Sequence, residues 1–538
     1  MRVTDTKRGR MRRRDLLGFG AATGALALTG CEAPYPQIAG GFTGIDVARG
    51  HALRDGALRS AVPSSVRRTD VVIAGGGVAG LAAARALRAR GVEDFVLLEL
   101  EDTAGGNSRG GTVQGIACPL GAHYLPVPGD DAREVQDLLE ELGLRRRVAG
   151  RWEYEERHLC HSPQERLFFQ GEWHDGLLPV QGVGADTLAQ YRRFAQRVDQ
   201  LQRGARFAIP SLRVPATPAS LMLDAMTFGQ WLNAEGLTDQ HLRWYLEYCC
   251  RDDYGAGVAQ VSAWAGIHYF ASRHGFHAPG DDNAERDAVL TWPQGNGWLT
   301  QRLAAPLGER LRTGQVVTRI AQTRGGVDVD VFDTATNALV RWQAARCIVA
   351  LPVFIAARLV ENPPERLRRA AAALQYAPWL VANVHLDAPL VDRPGAAPSW
   401  DNVVYGTRGL GYVDARHQML DPTPHATVLS WYRPLGPSTF DDADGRRRLL
   451  DLPWSSWRDA LLAELAVPHP DIVERATRID ITRYGHAMAI PTPGLRAKLG
   501  HDGAVAVGRL AFAHADWSGY SIFEEAFTRG HIAGASLG

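Results

Sequence analysis

The sequence predicts an α/β chain: a Rossmann-like dinucleotide-binding domain interrupted by an inserted α+β domain. Three observations predict it. Val71 to Ala74 form an apolar run that reads as a buried parallel strand. Gly75, Gly77 and Gly80 follow at G-x-G-x-x-G spacing and open an Ala-rich helix. Glu99 stands nineteen residues after Gly80, closing a second strand from Phe95 to Leu98. In such a turn Gly75 permits the tight bend, Gly77 lets main chain approach a pyrophosphate, and Gly80 lets the helix lie close on the strand. Val78 and Ala79 then present free N–H groups at the helix start, where a diphosphate is favoured. The Glu99 carboxylate, with Leu100 beside it, can accept both hydroxyls of an adenosine ribose and disfavours a 2′-phosphate.

The chain of 538 residues is long enough for more than one domain, and its 45% apolar content supports a large core. Formal charge is zero and no long basic stripe lies outside the N-terminus, so nucleic acid is not expected as a partner. Lysine occurs only at Lys7 and Lys498. Residues 1–31 read as an export signal. Arg13-Arg14-Asp15-Leu16-Leu17 resembles a twin-arginine signal, and the apolar stretch from Leu16 to Gly30 is shorter than the ~20 residues a spanning helix needs. Leu28-Thr29-Gly30-Cys31 is similar to a bacterial lipobox, which would make Cys31 a lipid-bearing first residue; the alternative is an ordinary cleavage site near Cys31. Met11 is an alternative start, because the whole signal follows it. The expected partners are therefore a twin-arginine translocase and a membrane reached through the lipid anchor, and the expected location is the periplasm. Residues 32–66 read as a tether. The remaining cysteines, Cys118, Cys160, Cys249, Cys250 and Cys347, lack C-x-x-C spacing and zinc-ligand partners, so no metal is expected; one or two disulfides stay open.

After Glu99 comes a second glycine loop, Gly105-Gly106-Asn107-Ser108-Arg109, then Gly121-Ala122-His123-Tyr124. A nicotinamide-only enzyme does not need this loop, whereas a flavin enzyme uses it to pass main chain along the pyrophosphate. With it the chain resembles the FAD-dependent amine oxidase and phytoene desaturase superfamily, whose Gly-Gly-Arg motif follows the acid. Here Asn107 stands at the arginine position and Arg109 comes two residues later. The resemblance implies a GR2-type FAD-binding domain from residues 67–130, 291–360 and 480–538, and a substrate domain from 131–290 and 361–479. Within 131–290 the pattern is helical, broken by an aromatic hairpin-like piece, Leu167 to Trp173. Gln315 to Ile320, Val327 to Phe332 and Arg346 to Pro352 read as strands. In the superfamily the first of these lies against adenine, so Val316 or Val317 would touch it through main chain.

The resemblance also extends to Gly508-Arg509 and to Trp517-Ser518-Gly519-Tyr520 before an amphipathic helix. It implies that this helix start meets the flavin edge, with Gly508 and Gly519 near the cofactor, Tyr520 in an aromatic cage and Trp517 beside the reacting face. The second cage position holds Ala487, and Val381 stands where a monoamine oxidase carries a lysine. His486 falls where some relatives bear a covalent flavin cysteine; an 8α-histidyl bond and a neutral hydrogen-bonded histidine are both open. His123 and His486 are candidates for proton handling. Tyr124, Asp252, Asp253 and Tyr254 form the candidate substrate cluster, since adjacent acids can hold a cation; a structural Arg–Asp helix end is the alternative. The expected function is an exported FAD oxidoreductase taking hydride from a small molecule, an amine first, with electrons leaving to oxygen or a respiratory acceptor. A desaturase of an apolar substrate and a non-catalytic flavin-binding envelope lipoprotein are the alternatives.

Overall fold

The computed structural model describes residues 38–537 except 57, 59–61, 161–163, 274, 280–287, 420–422, 424 and 501–504. Arg13, Arg14 and Cys31, and with them the export and lipidation expectations, lie outside the described residues.

The apolar run beginning at Val71 sits inside a longer strand, Ser65–Ala74, at the middle of a sheet ordered Leu311–Arg312, Phe95–Leu98, Ser65–Ala74, Ala338–Val349, Val327–Asp333, Gln315–Gln322. Phe95–Leu98 and Ala338–Val349 flank it in parallel, and Leu510–Phe512 also runs parallel to Ala338–Val349. Val71–Ala74 and Phe95–Leu98 are buried throughout, as expected of strands covered on both faces. Parallel pairing gathers the carboxyl ends Ala74, Leu98, Val349 and Phe512 along one sheet edge, where ligands of such sheets bind.

The helix Val78–Ala89 leaves that edge and packs on Phe523–Ala535 with unusual closeness. A Cβ at Gly530 would fall 2.0 Å from the Ala79 carbonyl oxygen, and one at Gly534 would fall 2.4 Å from that of Ala83. Contact order rises together along both helices, so they run parallel. Phe523 precedes Gly530 by seven residues, which carries the second helix about 10 Å past the start of the first. The stretch around residues 517–523 therefore lies beyond the glycine turn, within reach of one extended ligand.

A second sheet runs Ala39–Phe42, Ala476–Ile490, Gln375–Leu386, Thr427–Pro434, Tyr412–Asp414, Asp401–Val404, Glu165–Phe169, Glu172–Asp175. The last two strands are the aromatic hairpin. Helices Ala185–Gly204, Phe228–Ala234, Gln240–Tyr254 and Ala263–Ala271 share one buried cluster with this sheet through Phe194, Trp231, Leu246, Ile267, Val381 and Tyr432.

Two boundaries differ from expectation. The segment read as a tether is folded in part: Ala39–Phe42 pairs with residues 478–481, and Val47–Arg54 is a helix capped by Asp46. Gly40 explains why an unpatterned stretch can be a strand, for its φ is +145° and a Cβ there would fall 1.8 Å from the Ile479 carbonyl oxygen. Main-chain pairing at a sheet edge leaves no alternating hydrophobic signature. The second boundary concerns Ala476–Ile490, which belongs wholly to the second sheet because one continuous ladder to Gln375–Leu386 fixes it.

Candidate active site

The glycine turn is built as a cradle. Gly75 holds φ +104°, and a Cβ there would fall 2.4 Å from the Ala350 carbonyl oxygen; one at Gly80 would fall 1.9 Å from that of Gly75. Gly77 differs, because a Cβ at that position would meet only the Gly106 Cα, at 3.9 Å. Space is therefore kept open on the side-chain face of Gly77, while its main chain pairs closely with the second glycine loop, which is pinned in place by the Gly105 N–H donating to the Gly76 carbonyl at 2.8 Å. Glu99 is buried, and its two carboxylate oxygens accept from the main-chain N–H groups of Gly76 and Glu101, both at 2.8 Å. Burial pushes its pKa up while those two donors oppose the shift. Both oxygens keep lone pairs for ribose hydroxyls. Gln315 donates its N–H to the Glu99 carbonyl at 2.7 Å, bringing the start of the Val317 strand beside this acid. Val316 and Val317 bury their side chains, which leaves main chain as their means of contact.

Other cofactor candidates are placed differently. The Leu100 carbonyl is taken by the Arg49 guanidinium at 3.0 Å. Arg109 is buried; its Nε donates to the Gly106 carbonyl at 3.2 Å, and its guanidinium lies 3.8 Å from Glu101, so it braces the glycine loop. Asn107 donates to the Ala487 carbonyl at 2.7 Å and ties this loop to the second sheet. Gly519 holds φ +64° and ends the Ala515–Ser518 turn before the Phe523 helix. Gly508 is corrected: it occupies the exposed hairpin before Leu510, which is in register with Cys347 and, through it, with Val72. It thus lies at the amino end of the parallel strands, opposite the glycine turn. Ala513 and His514 stand at the carboxyl end instead, with the Ala513 N–H donating to the Val349 carbonyl at 3.0 Å.

Trp517 is also corrected. It is buried in the core beneath the first sheet, with its ring 5.8 Å from that of Phe512. The tight turn before Gly519 sends Trp517 inward and Tyr520 toward the second domain. His486 keeps one face open to solvent while the other stacks on Phe354 at 4.4 Å, and it does not line the cavity described next. Burial among its neighbours and the nearby arginines push its pKa down to about 4, so it is neutral at ordinary pH.

Between the second sheet and the helices Gln240–Tyr254 and Ala263–Ala271 lies a cavity of about 470 Å³. Its lining brings together His123, Tyr124, Asp252, Arg273, Trp400, Asp401 and Tyr432. The His123 ring stacks on Tyr432 at 4.3 Å and leans on Trp400 at 5.4 Å, while Tyr124 meets Trp400 edge-on at 5.9 Å. Desolvation pushes the His123 pKa down to about 3, so the ring is an uncharged wall. Tyr124 faces Asp252, whose pKa burial and neighbouring Asp253 raise to about 7. Asp401 is likewise raised by burial and by Glu165 and Asp252. Directly behind this lining, the Tyr520 hydroxyl donates to Asp253 at 2.6 Å, and the Tyr520 ring lies 5.4 Å from that of Tyr254. The four predicted substrate residues and Tyr520 thus converge.

Sequence reasoning missed Arg273, Trp400, Asp401 and Tyr432. No motif surrounds them, and their approach to Asp252 depends on how the second sheet packs against two helices. Ala487 does not line this cavity; Tyr432, on a strand, and Trp400, just before one, supply rings to its wall. Val381 is buried opposite Tyr432 in the ladder and carries no cation.

A cradle for a diphosphate, a ribose-directed acid and a helix start aimed along the same line fit FAD. The family description "flavin containing amine oxidoreductase" matches residues 78–535. The chain belongs to that family. It is an FAD-dependent oxidoreductase. Among its relatives, an L-amino acid dehydrogenase of Synechocystis sp. is 23% identical over 87% of this chain and 94% of its own length. A solved putrescine oxidase, wild type bound to putrescine, superposes with a TM-score of 0.66 at 19% identity, covering 88% of this chain and 99% of that one. Cyclohexylamine oxidase from Brevibacterium oxydans gives a TM-score of 0.62 at 19% identity, covering 87% and 98%. These two likenesses are likenesses of fold, and the family membership rests on the matched residues.

Proposed function

We propose that this flavoprotein oxidises an amine that arrives as a cation and carries no carboxylate. The observation that supports this reading is the charge of the cavity: Asp252 and Asp401 face it, Glu165 and Asp175 line its rim, and its one lining arginine, Arg273, is already paired with Asp253 at 3.1 Å. An amino acid's carboxylate would meet acids and, among the described lining residues, no arginine or lysine without a partner, and an apolar alkene would desolvate those acids without compensation. An ammonium is favoured by both. Aromatic faces from Tyr432, Trp400 and Tyr124 add cation–π attraction, worth about 0.5–2 kcal/mol each when desolvated.

FAD bound in the cradle supplies a two-electron acceptor at its N5. The chain's residues do the rest. Asp252, poised near neutrality, draws in the ammonium and accepts the proton that the nitrogen must lose before the adjacent C–H bond can give up hydride, while Asp401, whose charge burial disfavours, orients it through oxygen lone pairs. The aromatic wall excludes water, and neutral His123 adds no competing charge. Oxygen or a respiratory acceptor is the partner that would take the electrons onward. Export by a twin-arginine route and anchoring through Cys31 complete the proposal, supported by the Arg13-Arg14 and Leu28-to-Cys31 patterns.

Anaerobic mixing of the yellow holoprotein with alkylamines and diamines, with L-amino acids, and with apolar alkenes tests the substrate class. Bleaching by amines alone is expected; bleaching confined to amino acids or alkenes overturns the reading. Cell fractionation of the native chain and its C31S variant tests the location, with membrane association expected only for the former.

A further inference from the structure

Two adjacent carboxylates, Asp252 and Asp253, sit on one helix, yet they face different surroundings. Successive residues of a helix point about 100° apart, so one of the pair looks into the cavity and the other away from it. Asp253 is the buried one, and its Oδ2 accepts twice: from the Tyr520 hydroxyl at 2.6 Å and from Arg273 Nη2 at 3.1 Å. Arg273 Nη2 also donates to the Tyr520 oxygen at 3.1 Å, closing a ring of three polar groups. A second donor, Arg273 Nη1, reaches the Tyr269 carbonyl at 2.7 Å, and the guanidinium lies 4.7 Å from the Tyr269 ring centre. Arg273 is thus fastened to the end of the Ala263–Ala271 helix on one side and to the Asp253–Tyr520 pair on the other. It also lines the cavity next to Asp252.

The geometry points to Arg273 as a positioning residue that splits the two acids into separate jobs, cancelling Asp253 as a fixed counter-ion and leaving Asp252 as the group that reads a cationic substrate. The assignment rests on the amine reading above. It carries a second consequence for Tyr520. With its proton committed to Asp253 and its oxygen accepting from Arg273, the phenol behind the lining has no free proton to give. Tyr520 is held in place by groups that no sequence motif connects to it.

The electrostatic setting of Asp252 is specific. Arg251 and Asp253 flank it on its own helix, Tyr124 and Arg273 face it from the adjoining segments, and Asp401 and Tyr432 approach from the sheet across the cavity. Opposite charges within a few ångströms move such a group by about 1–3 units. Removing Arg273 takes away the attraction and uncovers the Asp253 charge, and both effects disfavour ionised Asp252. Removing Asp253 does the reverse, since Arg273 then stands unopposed beside Asp252.

The test uses the FAD-loaded protein and benzyltrimethylammonium, a permanent cation that cannot be oxidised at a C–N bond bearing an N–H and has no titrating proton. Its affinity is measured calorimetrically from pH 5 to 9. Wild type is expected to gain affinity through a midpoint near 7. R273Q should move that midpoint up by about 1–2 units, D253N should move it down, and R273Q/D253N should return it toward wild type. R273K, which retains the charge, should stay near wild type. Opposite displacements from two neighbouring substitutions are not produced by a merely structural loss. Unchanged midpoints in R273Q and D253N, or a double variant that fails to return, overturn the assignment; if R273Q does not fold, D253N alone decides by the sign of its shift. Absence of binding by wild type at every pH overturns the amine reading itself and this assignment with it.

Discussion

At the scale of single residues, the site is a set of carboxylates whose surroundings make them unequal. Asp252 titrates near 7 because burial and the neighbouring Asp253 disfavour its charge. Glu524, in the first turn of the Phe523 helix, is raised to about 7 by burial as well. An exposed carboxyl loses its proton near pH 4, so between about pH 4 and 7 the folded chain retains protons that the unfolded chain has released. Stability contributed by these groups therefore falls as pH rises through that window and is lowest above 7. D252N is expected to melt higher than wild type at pH 8, by an amount on the order of 1–3 kcal/mol, with the difference fading by pH 5 in thermal melts. The same substitution should lower kcat/KM for amines by about tenfold or more, because about 1.4 kcal/mol of lost ammonium pairing is tenfold. The acidic limb of the wild-type kcat/KM profile should fall near pH 7 and be absent in D252N. A limb that persists in D252N would assign it to another group.

Among elements, the decisive contact is the one between two helices. Gly77 and Gly530 have opposite needs although both are glycines in the same neighbourhood. A side chain at 77 meets only the Gly106 Cα, at 3.9 Å, so G77V should fold to wild-type stability yet purify colourless, since valine fills the space kept for the diphosphate. A side chain at 530 would collide with the Ala79 carbonyl at 2.0 Å, so G530V should cost about 3 kcal/mol or more by forcing the helices apart. Denaturant melts and the flavin absorbance of the two variants separate the effects. A G77V protein that remains fully yellow would relocate the pyrophosphate. The element scale also explains the Trp517 and Gly508 corrections. Motif order along the chain was legible, but the Ala515–Ser518 turn decides that Trp517 points inward, the φ of +64° at Gly519 redirects the chain that carries Tyr520, and the end of a strand is set by its ladder partners.

Taken as a whole, the molecule places the cofactor cradle on one sheet and the acid-lined cavity on the other, with Asn107 bonded to the second sheet and Glu525 of the Phe523–Ala535 helix bonded to the Ser211 main chain. Ligand binding to the folded state alone stabilises it by mass action. FAD at about 100 times its dissociation constant should raise the stability of the apoprotein by about 2.7 kcal/mol, read as a concentration-dependent rise in Tm. G77V should show no such rise. A benzyltrimethylammonium increment that adds to the FAD increment would indicate independent sites, and one that exceeds the sum would show the two sheets to be coupled.

Local rules determined much of this from the amino acids alone. The buried run from Val71, the glycines at their spacing, the acid at Glu99 and the alternation in Val327–Asp333 are features of short segments, and each has a physical reason that needs no distant partner. The folded Ala39–Phe42 edge strand, the wall of Tyr432 and Trp400, and the Arg273 ring around Asp253 and Tyr520 had to wait for the tertiary structure. Main-chain pairing carries no side-chain signature, and groups hundreds of residues apart acquire shifted proton affinities only once packing has removed water and set them side by side.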